Sequence, residues 1–397
     1  MKNVERVLLC LLLMLGHLHV SAAVVRGIVK DVNGTPLQGV PVSDGQDVVV
    51  TGPDGSYAME TSKRNGYVFV TVPSGYEPVK MQGNRPQFWQ RLTSQKKNDE
   101  TADFVLRPVN DTNYVLLTLA DIQLAKRYDD VQHYNRVMVP DINATIQQYK
   151  QQGLDVVALT LGDESFDKYW YKNGYALPES CADMEKIDCP IYNVIGNHDH
   201  DPYVADDHKA AGAWRRLMGP NYYSFNRGAV HYVVLDDVYY INDGASLGHE
   251  GHRNNEPRIT PEQMAWLKKD LELVKDPATP IVVAMHIPLL HQSGADGKLP
   301  DYRLKNARQL EQLLDRFEQV RFFTGHTHRN QASEANGGKI QENTYGSVCG
   351  ALWSLNEDCT GSNVSICTDG SPAGYGVWEI SGRDMRGYYK SNCPDRD

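Results

Sequence analysis

At 397 residues, with 41% hydrophobic and 23% charged residues, the chain is long enough for two or three compact units and too apolar for a disordered protein. The formal charge of -10 at pH 7 argues against nucleic acid or an anionic membrane as the main partner, while a local positive site stays open. The 33 glycines and 20 prolines are spread along the chain, without repeats or low-complexity segments.

Lys2 and Arg6 precede an apolar run over residues 7–15, and Ser21, Ala22 and Ala23 suit a signal peptidase, so residues 1–23 read as a signal peptide. A membrane anchor needs ~20 apolar residues, and this run is far shorter. Cys10 sits inside the apolar core rather than at the cleavage point, which argues against a lipid anchor. No later stretch is long and apolar enough to span a bilayer. The expectation is a protein secreted across the inner membrane into the periplasm, with no transmembrane segment after signal removal. Six cysteines then remain, Cys181, Cys189, Cys349, Cys359, Cys367 and Cys393, an even number that suggests disulfides in an exported chain. Among the roughly 15 possible pairings, Cys181 with Cys189 and Cys359 with Cys367 would close short loops and leave Cys349 for Cys393. No C-x-x-C pair offers a zinc site.

Residues 24–108 read as all β. Alternating runs at 24–29, 48–50 and 67–72 are separated by turn signals, and Asn33-Gly34 and Asp54-Gly55 predict type I′ hairpin turns with positive φ at both central residues. The expectation is a small β-sandwich. The stretch "GIVKDVNGTPLQGVPVSDGQDVVVTGPDGSYAM" resembles the carboxypeptidase regulatory-like family of sandwich modules, which implies a spacer or a glycan- or surface-binding module rather than chemistry.

Over residues 109–345 the period changes. Segments 114–120, 155–161, 191–195, 231–235, 281–285 and 320–324 read as buried strands. Helical spacing fills 131–152, opened by Asp129-Asp130, and 260–274, with Thr260 as N-cap and Pro261 at the first helical position. This unit is expected to be a layered α/β sandwich. Residues 346–397 are turn- and cysteine-rich, with short strands at 375–380 and 387–390.

Nearly every strand of the α/β unit runs out into a side chain able to bind metal, at the carboxyl edge where open α/β sheets bind ligands. Asp121 and Gln123 follow the first strand and Asp163 the second in "LGDESFD". Asn197, His198 and Asp199 follow the third in "IGNHD", His286 follows "VVAM", and His326 and His328 follow "FFTG". Any one fragment alone reads as a turn or a helix cap; their order and common position point to a metal site.

The order D-x-[H/Q], GD, GNHD, H, GHxH resembles the calcineurin-like metallophosphoesterase family over about residues 114–330. "GPNYYSFNRGAVHYVVLDD" and the segment around "GSVCGALWSLNEDC" are similar to a bacterial exported subgroup whose members usually continue well past residue 397, so the last segment is expected to be the start of an extra domain. The resemblance implies two divalent metal ions, Mn²⁺ first, with Mg²⁺, Fe, Ca²⁺ or Zn²⁺ as alternatives. Asp121, Gln123, Asp163 and His328 would hold one, and Asp163, Asn197, His286 and His326 the other. A bridging carboxylate at Asp163 suits two dications about 3.5–4 Å apart, which need a shared anion to screen their repulsion. Gln123 stands where the family usually has histidine, and its amide oxygen, a harder and weaker ligand than imidazole, disfavours Zn²⁺ there. Phe166 occupies the last place of GD-x-x-[D/N], with Asp167 displaced by one. The implied chemistry is in-line hydrolysis of a phosphomonoester or phosphodiester, small or glycan-linked, with His198 as general acid and Asp199 orienting its ring.

Other polar residues read more plainly. His231 lies in a β-alternating run and suggests packing or a local hydrogen bond; His291 flanks the pocket. His249 and His252, with Glu250 and Glu256, sit in a glycine- and asparagine-rich loop that reads as a solvated connection, and Trp353 and Tyr375 could form an aromatic wall over the site. A binding protein with a structural metal site is the alternative to the enzyme, and a nuclease is disfavoured because no basic stripe is present.

Overall fold

The structure, a computed structural model, describes residues 23–94, 97–292, 301–353, 355–356 and 364–392. Residues 1–22, most of the expected signal peptide, and Cys359 and Cys393 lie outside the described residues. No helix among the described residues is long and apolar enough to cross a membrane.

Two sheets make the N-terminal sandwich. Strand Ala23–Asp31 alternates buried and exposed residues and pairs antiparallel with Ser56–Thr61 and parallel with Phe104–Pro108. The facing four-stranded sheet runs in the order Val48–Val50, Pro41–Ser43, Tyr67–Val70, Trp89–Arg91. The turns differ from the expected type. Gly34 (φ 85°) and Gly55 (φ 73°) are left-handed, but Asn33 and Asp54 are not. Carboxylates organise these turns instead: Asp31 Oδ1 accepts from the amides of Asn33 and Thr35, and Asp54 Oδ1 from Ser56. A buried Lys63 ammonium at the sandwich edge bonds Glu100 Oε1 (2.6 Å) and the Asn98 carbonyl (2.6 Å).

The α/β unit is two sheets face to face. In the first, Ile191–Tyr192, Asp155–Thr160 and Asn113–Leu119 run parallel, followed by the antiparallel hairpin Gly374–Ser381 and Asp384–Ser391. The second runs Tyr223–Arg227, Val230–Val234, Ile281–Ala284, Val320–Thr324, Ile340–Thr344, Gln331–Ala335, with its four middle strands parallel. Alternation along Asn113–Leu119 sends Tyr114 and Leu116 toward the second sheet and Val115, Leu117 and Leu119 toward helix Val139–Gln151. The Tyr114 and Tyr232 hydroxyls meet between the sheets at 2.6 Å.

The long helix expected over 131–152 is three pieces: Asp130–His133, a π-helical turn Tyr134–Met138, and Val139–Gln151. The wider turn ends just before Pro140, whose ring and missing N–H do not fit a regular α ladder. Helix Pro261–Leu273 begins as expected, with Thr260 Oγ1 capping the Gln263 amide. The expected third strand is only Ile191–Tyr192, and a Cys181–Cys189 disulfide does not form. Both thiols are free and buried, Cys181 with Trp170 and Trp214, Cys189 with Val139 and Ile146, in separate clusters. Burial pushes them up to about 11 and about 12. Cys349 and Cys367 are also free among the described residues.

Sandwich and α/β unit share one hydrophobic core. Phe88 lies 4.7 Å from the Tyr223 ring and 5.9 Å from Tyr192, centroid to centroid. Phe88→Ala is expected to cost about 3–5 kcal/mol in a denaturant titration that keeps a single transition for both units; separate transitions in the unsubstituted protein would contradict the shared core. Glu100, opposed by partial burial but bonded to Lys63 and Ser94, is held down at about 2. Its folded value lies below its unfolded one, so its contribution is present above about pH 4.5 and is lost as pH falls toward 2. Acid titration of Glu100→Gln should lack that component, seen as a shallower loss of melting temperature across this window.

Candidate metal centre

The parallel registers bring the strand ends together. Leu119 pairs with Thr160, and the Asp121 amide donates to Gly162 O and the Gln123 amide to Asp163 O. Ala284 pairs with Phe323, and the Gly325 amide donates to His286 O. Just beyond these ends the backbone is strained. Asp121 (φ 51°), Gln123 (φ 46°), Asp163 (φ 59°), His326 (φ 66°) and His328 (φ 53°) are all left-handed without being glycine. Such conformations cost of order 1–3 kcal/mol each and persist where the surroundings over-determine them, commonly at functional sites. The glycines beside them are there for room. A Cβ on Gly196 would lie 2.2 Å from the amide nitrogen and Oδ1 of Asp163, one on Gly162 2.5 Å from the His286 ring, and one on Gly325 2.7 Å from Asp121 Oδ2.

His286 Nε2 is 3.0 Å from Asn197 Oδ1, 3.2 Å from His326 Nδ1 and 3.3 Å from Asp163 Oδ2. The ligating atoms of Asp163, His286 and His326 all fall within 4.8 Å of one another. One imidazole nitrogen cannot satisfy three such partners, whereas a cation among them satisfies all four. The His286 Nδ1–H donates to Leu161 O at 2.8 Å, which leaves Nε2 for the site. His328 is arranged alike: Nδ1 bonds Gly350 O at 2.6 Å and Nε2 faces Asp121 Oδ1 at 3.5 Å. Gln123 reaches the site differently from expectation. Its amide nitrogen donates to Asp163 Oδ2 at 3.0 Å, while its oxygen is turned toward Cys349 Sγ at 3.7 Å. The seven candidate ligands thus form two adjoining groups: Asp163, Asn197, His286 and His326, and Asp121, Gln123 and His328.

The electrostatics fit a cation site. Burial alone would raise Asp163, but the facing His286 and His198 rings hold it far below the usual carboxylate range. Burial would depress His286, yet Asp163 outweighs it and lifts the ring to about 10. His326, pushed down by burial and by His286, sits at about 4, a neutral imidazole ready to ligate. The donor types, two carboxylates, two amides and three imidazoles, match divalent metal.

His198 lies at the rim, its side chain 25% exposed, with Nε2 4.0 Å from Asp163 Oδ2. The carboxylate that holds its ring is Asp167, whose Oδ1 is 2.8 Å from Nδ1. Asp199 does not have the expected orienting role. Its carboxylate is fully buried and accepts from the amides of Asp163 (2.8 Å), Gly196 (2.9 Å) and Ser165 (3.0 Å), tying the GD and GNHD loops together. Phe166 takes an extended φ of -134°, and a 3₁₀ turn starts at Asp167, which carries the acid one residue further and still to His198. Asp167 is held by Tyr240 Oη on Oδ2 and Arg253 on Oδ1, each at 3.2 Å. Neither Tyr240 nor Arg253 stands out in the sequence. Arg253 comes from the loop read as a solvated connection; the Asn242 Oδ1 bond to its amide and its left-handed φ of 54° were the missing signals. His231 bonds Asp270 and Asn226, a local role as expected. Trp353 and Tyr375 are buried, bonded to Ile122 O and to Asp141 and Thr145, and form no wall over the site.

Calcineurin-like phosphoesterase sequences match the chain over residues 115–330, the N terminal of calcineurin-like phosphoesterase over 23–109 and the C terminal of calcineurin-like phosphoesterase over 342–397. The chain belongs to the calcineurin-like phosphoesterase family. It is 28% identical over 162 residues to a bovine (Bos taurus) serine/threonine-protein phosphatase, CPPED1, covering 38% of this chain and 47% of that protein. It is 32% identical over 112 residues to purple acid phosphatase 15 of Arabidopsis thaliana, covering 28% of this chain and 18% of that one. The chain thus spans less than half the length of these curated relatives. Among solved structures it is similar to a purple acid phosphatase from yellow lupin (Lupinus luteus), with a TM-score of 0.44 and 12% identity over 90% of this chain and 67% of that one.

Mn²⁺ at 100 times its dissociation constant should stabilise the folded protein by about 2.7 kcal/mol, seen as a rise in melting temperature. Gly196→Ala, which drives a methyl into Asp163, should lose most of that increment; an unchanged increment would separate Asp163 from the metal.

Proposed function

We propose that the protein is a metal-dependent hydrolase of phosphomonoesters or phosphodiesters that works outside the cytoplasm with two divalent ions. The observation that carries this reading is the convergence of Asp163, Asn197, His286 and His326 on one point, with the His286 tautomer set by a backbone carbonyl. Asp121, His328 and a half-turn of the Gln123 amide complete the second position. Gln123 favours Mn²⁺ over Zn²⁺ there. Metals held by these residues would supply Lewis-acid charge and lower the pKa of a nucleophilic water. The protein residues do the rest. Asn197 and His198 sit where a phosphoryl oxygen would enter, and the His198 ring, held at Nδ1 by Asp167, directs Nε2 toward the site. Burial opposes its protonation, but Asp163 and Asp167 raise its pKa above the ordinary imidazole value, which suits a proton donor to a departing alkoxide. The acidic chain and the lack of a basic stripe support a small-molecule or glycan-linked ester rather than nucleic acid. The signal-like residues 1–23 support export to the periplasm.

The test is turnover of 4-nitrophenyl phosphate and bis(4-nitrophenyl) phosphate with Mn²⁺ and with chelator. Hydrolysis should require metal and vanish in Asn197→Ala; no turnover by a folded, Mn²⁺-loaded protein would sink the proposal. On an alkyl phosphate, His198→Gln should keep its metal and lose ~10²–10⁴ in kcat. Asp167→Asn should lose about 10–100-fold, with a smaller loss on the nitrophenyl ester, whose leaving group needs less help from a proton. Equal losses on both esters would argue against an acid role for the pair.

A further inference from the structure

Beside His198 the molecule carries an arginine that the hydrolytic scheme does not use. Phe166 packs on the His198 ring with centroids 4.2 Å apart, and Arg127 also lies over the Phe166 ring. Its guanidinium carbon is 5.1 Å from the Phe166 centroid, 5.0 Å from Tyr169 and 5.2 Å from Tyr128. Its hydrogen bonds go to neutral acceptors, Tyr169 Oη at 3.1 Å and Leu352 O at 3.3 Å, and Nε has none. Among the described residues no carboxylate forms a salt bridge with this guanidinium, although Asp130 is near enough to attract it. The nearest acid in sequence, Asp130, spends its carboxylate on the backbone amides of Ala125, Arg127 and Val131.

The backbone around Arg127 is built to hold it there. Lys126 (φ 54°), Tyr128 (φ 49°) and Asp129 (φ 60°) are all left-handed. Asn173 clamps the carbonyls of Ala125 (2.8 Å) and Lys126 (3.3 Å). Strain concentrated on both sides of a cation that has no salt bridge among the described residues, one ring away from a rim histidine, marks a ligand contact rather than a relaxed surface loop. Two more cations, Lys168 and Lys172, stand 5.9 and 5.8 Å from the Tyr169 centroid. Arg127 also lines a cleft of about 830 Å³ whose walls carry both charges, Arg136 and Lys186 with Glu179 and Asp183.

We propose that Arg127 is a specificity-determining residue that receives a second anionic group, a carboxylate or phosphate, carried by the alcohol portion of the ester. The inference rests on the phosphoesterase reading and deepens it. A guanidinium fork matches either anion bidentately. Phe166 would serve as the spacer between the two anionic ends, one at the metals and one at Arg127.

The test uses matched substrates with the Mn²⁺-loaded full chain: 3-phosphoglycerate against glycerol 3-phosphate for a carboxylate, and fructose 1,6-bisphosphate against fructose 6-phosphate for a phosphate. At least one pair should favour the more anionic member by about 10-fold or more in kcat/KM, mainly through KM, and which pair does so identifies the anion. In Arg127→Gln that ratio should fall to about twofold or less. Arg127→Lys, which keeps the charge and loses the fork, should retain part of it and carries the test if the glutamine variant does not fold. No preference in either pair, or a preference that survives both substitutions, overturns the assignment. Turnover of 4-nitrophenyl phosphate alongside separates the outcomes: if it proceeds without preference, only the subsite falls; if no ester is turned over, the phosphoesterase reading falls and takes the subsite with it.

Discussion

A buried carboxylate must be paired, and the pairing of Asp163 decides where the rest of the centre stands. Oδ1 takes the His198 amide at 2.8 Å, Oδ2 takes Gln123 Nε2 at 3.0 Å and faces His286 Nε2 at 3.3 Å, and its own amide donates to Asp199 at 2.8 Å. Three segments remote in sequence are therefore referred to one residue. The left-handed φ of 59° at Asp163 is what points the carboxylate inward rather than along the strand, and Gly196 clears the space it needs. Asp199 adds a second buried acid beneath the first. Burial raises its pKa, yet its amide partners on the Gly196 and Ser165 segments favour the charged form and keep the two loops in register.

The parts of this centre that were legible in the sequence are those fixed by strand ends. A parallel strand buried on both faces is a continuous apolar run, so the polar residue that ends it is conspicuous, and Asp121, Asp163, His286, His326 and His328 all stand at such places. Asp167 was visible as an acid displaced from its usual spacing, but its use depends on the extended Phe166 and the turn after it, which spacing does not encode. Arg127 and Arg253 were illegible for another reason. Each acts through neighbours brought in from distant segments, so their roles exist only in three dimensions. The same limit applies to the hairpin Gly374–Ser381 and Asp384–Ser391. Its strands read as short β segments, whereas the antiparallel pairing of Gly376–Ser381 with Asn113–Thr118 is a long-range choice. Cysteine count misled because an even number is only a composition, and Cys181 and Cys189 had already found separate apolar clusters in which to be buried.

The sandwich matters to the centre through the weakest strand. Ile191–Tyr192 is two residues long and forms the edge of its sheet, yet it leads directly to Asn197 and His198. An edge so short holds little register on its own. The N-terminal unit supplies what is missing: the Asn84 carbonyl accepts the Ile191 amide at 2.9 Å, and Asn84 Nδ2 binds the carbonyls of Met184 (2.8 Å) and Ile187 (3.1 Å) just ahead of the strand. Phe88 then presses on Tyr192 and Tyr223, and the Tyr223 hydroxyl both accepts the Asn193 amide and donates to the Asn193 carbonyl, each at 3.0 Å. The path from the sandwich to the metal centre is thus a chain of direct contacts only a few residues long. A β module that would otherwise be a spacer takes the place of an absent neighbouring strand, and the geometry of Asn197 and His198 becomes a property of both units together.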